Sequence, residues 1–229
     1  MAVEIELDHA GIVELLQCAE MQAAVDEVLE EAGHINILVN CAGFGISGAV
    51  EFTQLEDAKR QLDVNFFGVV NCTKAVLPAM RSQGFGRIVC VSSVAGSIPI
   101  PFQTYYSVSK AAINSYATAL ANEVKPYGVE VCAVQPGDIA SAFTDARKKS
   151  IDGDEEYDGR ISRSVNVMEK DERSGMSPLK AGMYITHIAL KKHVKPQYAI
   201  GFVYKFFCVI MRLLPCKFSN YLLYNIYAK

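Results

Sequence analysis

Tyr106 and Lys110 lie four residues apart in a stretch, 104–125, patterned as a helix, so a phenol and an ammonium share one helix face. A cation beside a phenol favours the phenolate and draws its pKa down from about 10, which makes an acid/base usable near neutral pH. The pair alone is a thin signal. With 11 Tyr and 14 Lys in 229 residues, roughly 0.7 such spacings arise by chance. Ser93 adds to it, standing 13 residues before Tyr106 and just past the run 87–92. A hydroxyl there would emerge at the carboxyl end of a strand, where doubly wound sheets bind ligands. Ser93 could hydrogen-bond a substrate carbonyl while Tyr106 donates the proton, although a strand-end serine standing alone more often caps a turn.

Two further polar positions stand out. Asn65 falls in the middle of a helical pattern, 54–82, a poor place for Asn on propensity, and one that marks a distortion, a polar network or an exposed helical Asn. Asn40-Cys41-Ala42-Gly43 follows a short apolar run, and its small side chains allow a ligand to approach the backbone.

The elements that would position these groups alternate. Residues 22–32 have an amphipathic helical pattern stopped at Gly33, and 35–40 is a short buried strand. Helix 54–82, strand 87–92, helix 104–125 and strand 129–134 follow, the last punctuated by Pro136-Gly137. Residues 179–193 form another helix, and 198–201 a last short strand. Strands alternating with long helices predict a parallel, doubly wound α/β sheet. The chain, 1–229, is of a size for one such domain, with the charged, Gly-punctuated stretch 143–175 as a lid over the strand ends and 202–229 as a helical tail.

The order Asn40-Cys41-Ala42-Gly43, Asn65, Ser93, Tyr106-x-x-x-Lys110, Pro136-Gly137 is similar to that of the short-chain dehydrogenase/reductase family, over about residues 20 to 145. The resemblance implies a Rossmann-like sheet and an oxidoreductase that moves a hydride between NAD or NADP and an alcohol or ketone. It implies that Tyr106 is the proton donor and acceptor. Lys110 would depress the Tyr106 pKa and hold the nicotinamide ribose. Ser93 would polarise the substrate oxygen, and Asn65 would hold a water linking Lys110 to solvent. Asn40, Ala42 and Gly43 would line the ribose side of the cofactor, and Pro136, Gly137, Ile139 and Ser141 the nicotinamide. It further implies that helices 54–82 and 104–126 pair between subunits in a homodimer or homotetramer.

The resemblance breaks before Asn40. The family begins with a strand and a Gly-rich turn that seats the pyrophosphate on a helix N-terminus, and no such unit precedes Asn40, so the N-terminal strands are missing or altered. Gly43-Phe44-Gly45-Ile46-Ser47-Gly48 satisfies G-x-G-x-x-G, yet no helix pattern opens there and no acidic residue closes a second strand about 20 residues on. Three expectations follow: a Gly-rich unit precedes Met1, residues 1–18 rebuild the phosphate site, or the chain is a catalytically silent, dimerising remnant.

Composition narrows the rest. The net charge is −3, and no basic run exceeds Arg147-Lys148-Lys149, which argues against a nucleic-acid surface. Seven Cys without a CxxC pair fit reduced thiols in a cytoplasmic protein. The four His show no ligand spacing, so no metal is expected. Val94, Ile98, Ile100, Phe102, Phe143 and the aromatics of 202–227 suit either an apolar pocket for a steroid-, retinoid- or acyl-like substrate, or the core. Lys205 and Arg212, seven residues apart beside Phe206, Phe207, Val209 and Ile210, fit a membrane-surface helix, and more often a helix packed on its own domain.

Overall fold

The structure is a computed structural model that describes residues 18–229, with side chains described from residue 21. The substituting role considered for residues 1–18 lies outside the described residues but for its last position. Helix α1 (Cys18–Ala32) is stopped at Gly33 and leads into strand β1 (Ile37–Asn40). Strand β2 (Ile46–Ser47), helix α2 (Leu55–Leu62), a π-helical turn (Asp63–Phe67) and helix α3 (Gly68–Gln83) follow. Strand β3 (Gly86–Val91), helix α4 (Thr104–Glu123) and strand β4 (Val129–Pro136) come next. The remainder comprises α5 (Phe143–Ala146), β5 (Lys148–Lys149), α6 (Arg160–Arg173), α7 (Pro178–Ala189), β6 (Gln197–Ile200), α8 (Phe202–Leu213) and α9 (Cys216–Leu223).

The main sheet is parallel, in the order β1-β3-β4-β6, with Val39 opposite Val89 and Val89 opposite Cys132. The strands read as apolar runs because both faces are covered. Ile88, Cys90, Val131 and Ala133 pack with Val25, Val76, Met80, Ile113 and Ala117 from α1, α3 and α4. Their neighbours Val89, Cys132 and Val134 turn to the other face, against Ile188, Ala189 and Ile200. Successive side chains of one strand thus feed two cores, as the two-residue period requires, and the sheet is doubly wound and Rossmann-like.

At β1 the pattern loosens. Its one neighbour among the described residues is β3, and Ile37 and Val39 remain 37% and 39% exposed. The glycine run 43–48 becomes strand rather than a helix entrance, since Ile46 and Ser47 pair with Lys148 and Lys149 in a second, two-stranded sheet. The basic triplet is neutralised within the chain: Arg147 pairs with Glu172, Lys148 with Asp57 at 2.7 Å, and Lys149 with Glu169.

Candidate active site

Two segments are pinned to the middle of α4 and bring the site together. Ser92 Oγ donates to the carbonyl of Lys110 at 2.9 Å, and a Cβ on Gly96 would come within 2.6 Å of the same carbonyl. Glycine is therefore needed for the 92–96 turn to lie flat on the helix. Between them Ser93 caps the short helical turn Val94–Gly96, its hydroxyl accepting from Ala95 N at 3.1 Å, so the capping role and the site role fall on one residue. The same side chain faces the Tyr106 phenol closely enough to pull its pKa down.

The second segment is the turn after β1. Asn65 is fully buried and lies in the π-helical turn, where its mid-helix position meets the expected distortion and network. Its Oδ1 accepts from Phe44 N, and its Nδ2 donates to Phe44 O and to Ser109 Oγ, at 3.0, 3.0 and 3.1 Å. Ser109 in turn donates to the Tyr106 carbonyl at 2.7 Å. Both amide protons of the side chain expected to hold a water are thus taken up by protein, and it acts as a clamp between the 40–44 turn and α4. Gln61, one turn before Asn65 and equally buried, completes the clamp by accepting from Ile46 N and donating to Phe44 O, at 2.9 and 2.5 Å. Sequence reading passed over Gln61, although a second amide four residues from Asn65 on the same helix face was the available signal.

Lys110 occupies the floor. It is 5% exposed, its Nζ donates to Val91 O at 2.9 Å, and it lies 5.7 Å from the centroid of the Tyr106 ring. Here the expected electrostatics are corrected. Burial pushes the Tyr106 phenol up to about 12, opposed by the Ser93 hydrogen bond. Lys110 does not lead the groups that shift it: the ammonium sits over the ring face and bonds a backbone carbonyl rather than meeting the phenol oxygen. Burial also lowers Lys110 itself to about 8.

That shift has a sign. The unfolded chain holds the Lys110 proton up to about 10.5, whereas the folded chain gives it up near 8. Wild-type stability therefore rises with pH across that window, and below it the buried ammonium costs on the order of 3 kcal/mol. Lys110→Met is expected to be at least as stable as wild type at pH 7, with the difference shrinking toward pH 10.5. Thermal melts of the two proteins across that range check it, and a Met variant less stable at every pH excludes the assigned cost.

Asn40 is buried at the end of β1, with Nδ2 3.8 Å from Cys90 Sγ. Gly43 separates Asn65 from Lys110: a Cβ there would approach Asn65 Oδ1 to 3.0 Å and Lys110 Nζ to 3.5 Å. Exposed Ala42 is next to it in the chain, and a cleft of about 390 Å³ opens beside Gly43, between Phe44, Val64 and Phe143. Small residues beside a buried ammonium at the carboxyl edge of a parallel sheet fit the ribose and nicotinamide half of a dinucleotide. No Gly-rich strand-to-helix turn for the pyrophosphate occurs among the described residues.

On the far side, Pro136 ends β4 and the 138–140 backbone pairs with Met176, through Asp138 O and Ala140 N at 3.0 and 2.9 Å. Ile139 forms the bridge to Met176, and Ser141 Oγ accepts from Phe143 N at 3.3 Å. Gly137 is covered by Tyr204, whose ring would lie 2.3 Å from a Cβ there and whose hydroxyl donates to Asp138 at 2.5 Å. Tyr204 is 66 residues from Asp138 in sequence, and no local pattern foretold it. Phe143 packs on Tyr106 with ring centroids 5.6 Å apart, and the Arg147 guanidinium lies 5.6 Å from the Phe143 ring.

A doubly wound parallel sheet whose carboxyl edge joins a serine hydroxyl, a buried phenol and a buried lysine, with a cleft of about 390 Å³ opening beside Gly43, defines a nicotinamide-dependent dehydrogenase or reductase. Residues 10–152 match the family described as short chain dehydrogenase. The chain belongs to that family and is an NAD(P)-dependent oxidoreductase acting on a small molecule. It is 40% identical to the 3-ketodihydrosphingosine reductase of Bacteroides thetaiotaomicron, over 95% of this chain and 82% of that protein. It is 29% identical to a probable short-chain type dehydrogenase/reductase of Helicobacter pylori, over 94% of this chain and 82% of the relative. A short-chain dehydrogenase from Streptomyces avermitilis superposes with a TM-score of 0.75 at 26% identity, covering 90% of this chain and 72% of its own.

Proposed function

We propose that this chain reduces the carbonyl of a long-chain apolar ketone of the 3-keto sphingoid base type. Two things support the substrate class. One is the 40% identity to a 3-ketodihydrosphingosine reductase. The other is the wall around Ser93, which carries the reading: Val94 and Ile98 pack with Phe207, Leu214, Leu222 and Tyr227 of the tail, and Phe143 lies on the Tyr106 ring. In this reading 1–229 is a single cytoplasmic domain, with 143–175 as the substrate lid. The two ends of the lid are held together where Thr144 and Arg147 bond Glu172.

The residues take roles from their places. Ser93 orients the substrate oxygen, and Tyr106, protonated far above neutral pH, donates the proton that completes the alcohol. Asn40, Ala42, Gly43 and Lys110 hold the ribose, and Pro136, Gly137, Ile139 and Ser141 the nicotinamide, with the Tyr204 ring moving aside from Gly137. The bound cofactor supplies the hydride. Asn65 is a positioning residue that acts through the 40–44 turn.

Fluorescence titration with NADH and NADPH, followed by turnover of 3-ketodihydrosphingosine against cyclohexanone, tests the proposal. Saturable binding and a kcat/KM at least about 100-fold higher for the long-chain ketone are expected, since each buried methylene contributes roughly 0.8 kcal/mol. Equal kcat/KM for both ketones sinks the substrate class. We also propose pairing between subunits through the helices around Phe67 and Val108, 50% and 47% exposed. Sedimentation at micromolar concentration is expected to show a dimer or tetramer, and a monomer there overturns it.

A further inference from the structure

Helix α8 has two apolar faces, and among the described residues only one is covered by the domain. Its inner face carries Tyr204 against the Pro136-Gly137 turn and Met211 with Phe207 and Cys208 against Ile98 and Leu223. The opposite face carries Phe202, Phe206, Val209 and Leu213, spaced i, i+4, i+7 and i+11 as one stripe. These four are 85%, 61%, 58% and 79% exposed, and neighbouring Val203 is 71% exposed. In α9, Phe218 and Tyr221 continue the exposed apolar surface at 50% and 62%. Five large side chains left in water on one 12-residue helix exceed the scattered exposure usual on a soluble surface.

The charges around the stripe are of one sign. Residues 202–229 contain Lys205, Arg212, Lys217 and Lys229 and no Asp or Glu, in a chain whose net charge is −3. Lys205 and Arg212 both project from the same flank of the stripe, two helical turns apart, where long basic side chains can reach upward while the aromatic and aliphatic groups go down. A second copy docked tail to tail offers no complementary charge to this surface, because its own tail is equally basic. An acidic lipid headgroup layer over a hydrocarbon interior complements both features at once. No helix among the described residues is long and apolar enough to cross a membrane, so the fitting geometry is one that lies in the surface.

We propose that α8 and α9 form a docking face by which this protein lies on an anionic lipid bilayer, with the Phe202–Leu213 stripe in the acyl boundary and Lys205 and Arg212 among the headgroups. Because the other side of α8 rests on Pro136-Gly137, the candidate active site lies one helix diameter from the bilayer.

The test is co-sedimentation of the whole chain with unilamellar vesicles of phosphatidylcholine, with and without phosphatidylglycerol. Binding to the anionic vesicles is expected, weakening at high salt. Lys205→Glu with Arg212→Glu is expected to weaken partitioning by at least about 30-fold, since each surface cation contributes about 1 kcal/mol. Val209→Glu with Leu213→Glu is expected to abolish binding while turnover of a short soluble ketone persists, which separates lost docking from lost folding. Wild-type protein that ignores anionic vesicles overturns the proposal. So does a wild-type oligomer, formed without lipid, that the Val209→Glu/Leu213→Glu pair splits, because the occupant is then a second copy. Vesicle binding is read without turnover, so failure of the substrate assignment leaves this result distinct.

Discussion

Tyr106→Phe is expected to reduce ketone turnover by about 1,000-fold or more while leaving cofactor affinity and melting temperature nearly unchanged. The phenol hydroxyl faces Ser93 and is placed to deliver a proton, and general acid catalysis by a positioned group contributes roughly 10²–10⁴-fold. Removing it strips a single oxygen from a ring that still packs on Phe143 and over Lys110. The phenol is held near 12 by burial, so the acid form is fully populated at working pH and the wild-type reduction rate has no falling limb from Tyr106 below about pH 10. Steady-state kinetics and a thermal melt of the same preparation decide the matter. Turnover preserved in the Phe variant rules out Tyr106 as the acid.

Asn65→Ala is expected to be costly in a different way. The substitution leaves Phe44 N without its bond and removes one donor each from Phe44 O and Ser109, all in a buried setting. Unsatisfied buried groups cost about 1–3 kcal/mol each, and with partial rescue of Phe44 O by Gln61 a loss of about 3 kcal/mol is expected. For a chain of this length that lowers Tm by about 6–12 °C. Turnover should fall as well, because the 40–44 turn loses its tie to α4. An unchanged Tm with unchanged turnover shows that the clamp does not hold the turn.

The sheet and its helices were legible because the signals that encode them are local. The β-branched run at 87–92 became β3 (Gly86–Val91), and the stop at Pro126 fell just past α4. The order of Ser93, Tyr106 and Lys110 was legible too, since a strand end and a helix face fix spacings. The fine geometry was not. Whether Lys110 meets the phenol oxygen or a backbone carbonyl depends on how deeply the ring is buried, and that depends on Phe143 and Arg147 arriving from another element. Tyr204 over Gly137 and Glu172 under Arg147 are long-range meetings with no sequence period. The tail aromatics show the limit well: Phe207 and Tyr227 pack inward while Phe202 and Phe206 face out, a division that depends on which face of α8 meets the domain.

The π-helical turn at Asp63–Phe67 fixes a rotational phase. One residue of an α-helix advances about 100°, so a π turn holds a residue too many and offsets the azimuth of all that follows. Upstream and within the turn, that phase points Gln61 and Asn65 at Phe44; downstream, it points Val69, Thr73, Val76 and Met80 into the core. Deleting any one residue from 63 to 67 would let the helix run straight and would rotate one set or the other by about a quarter turn. The chain can then keep its clamp or its core stripe, but not both, so apart from Asn65 this stretch tolerates substitution far more readily than a change in length.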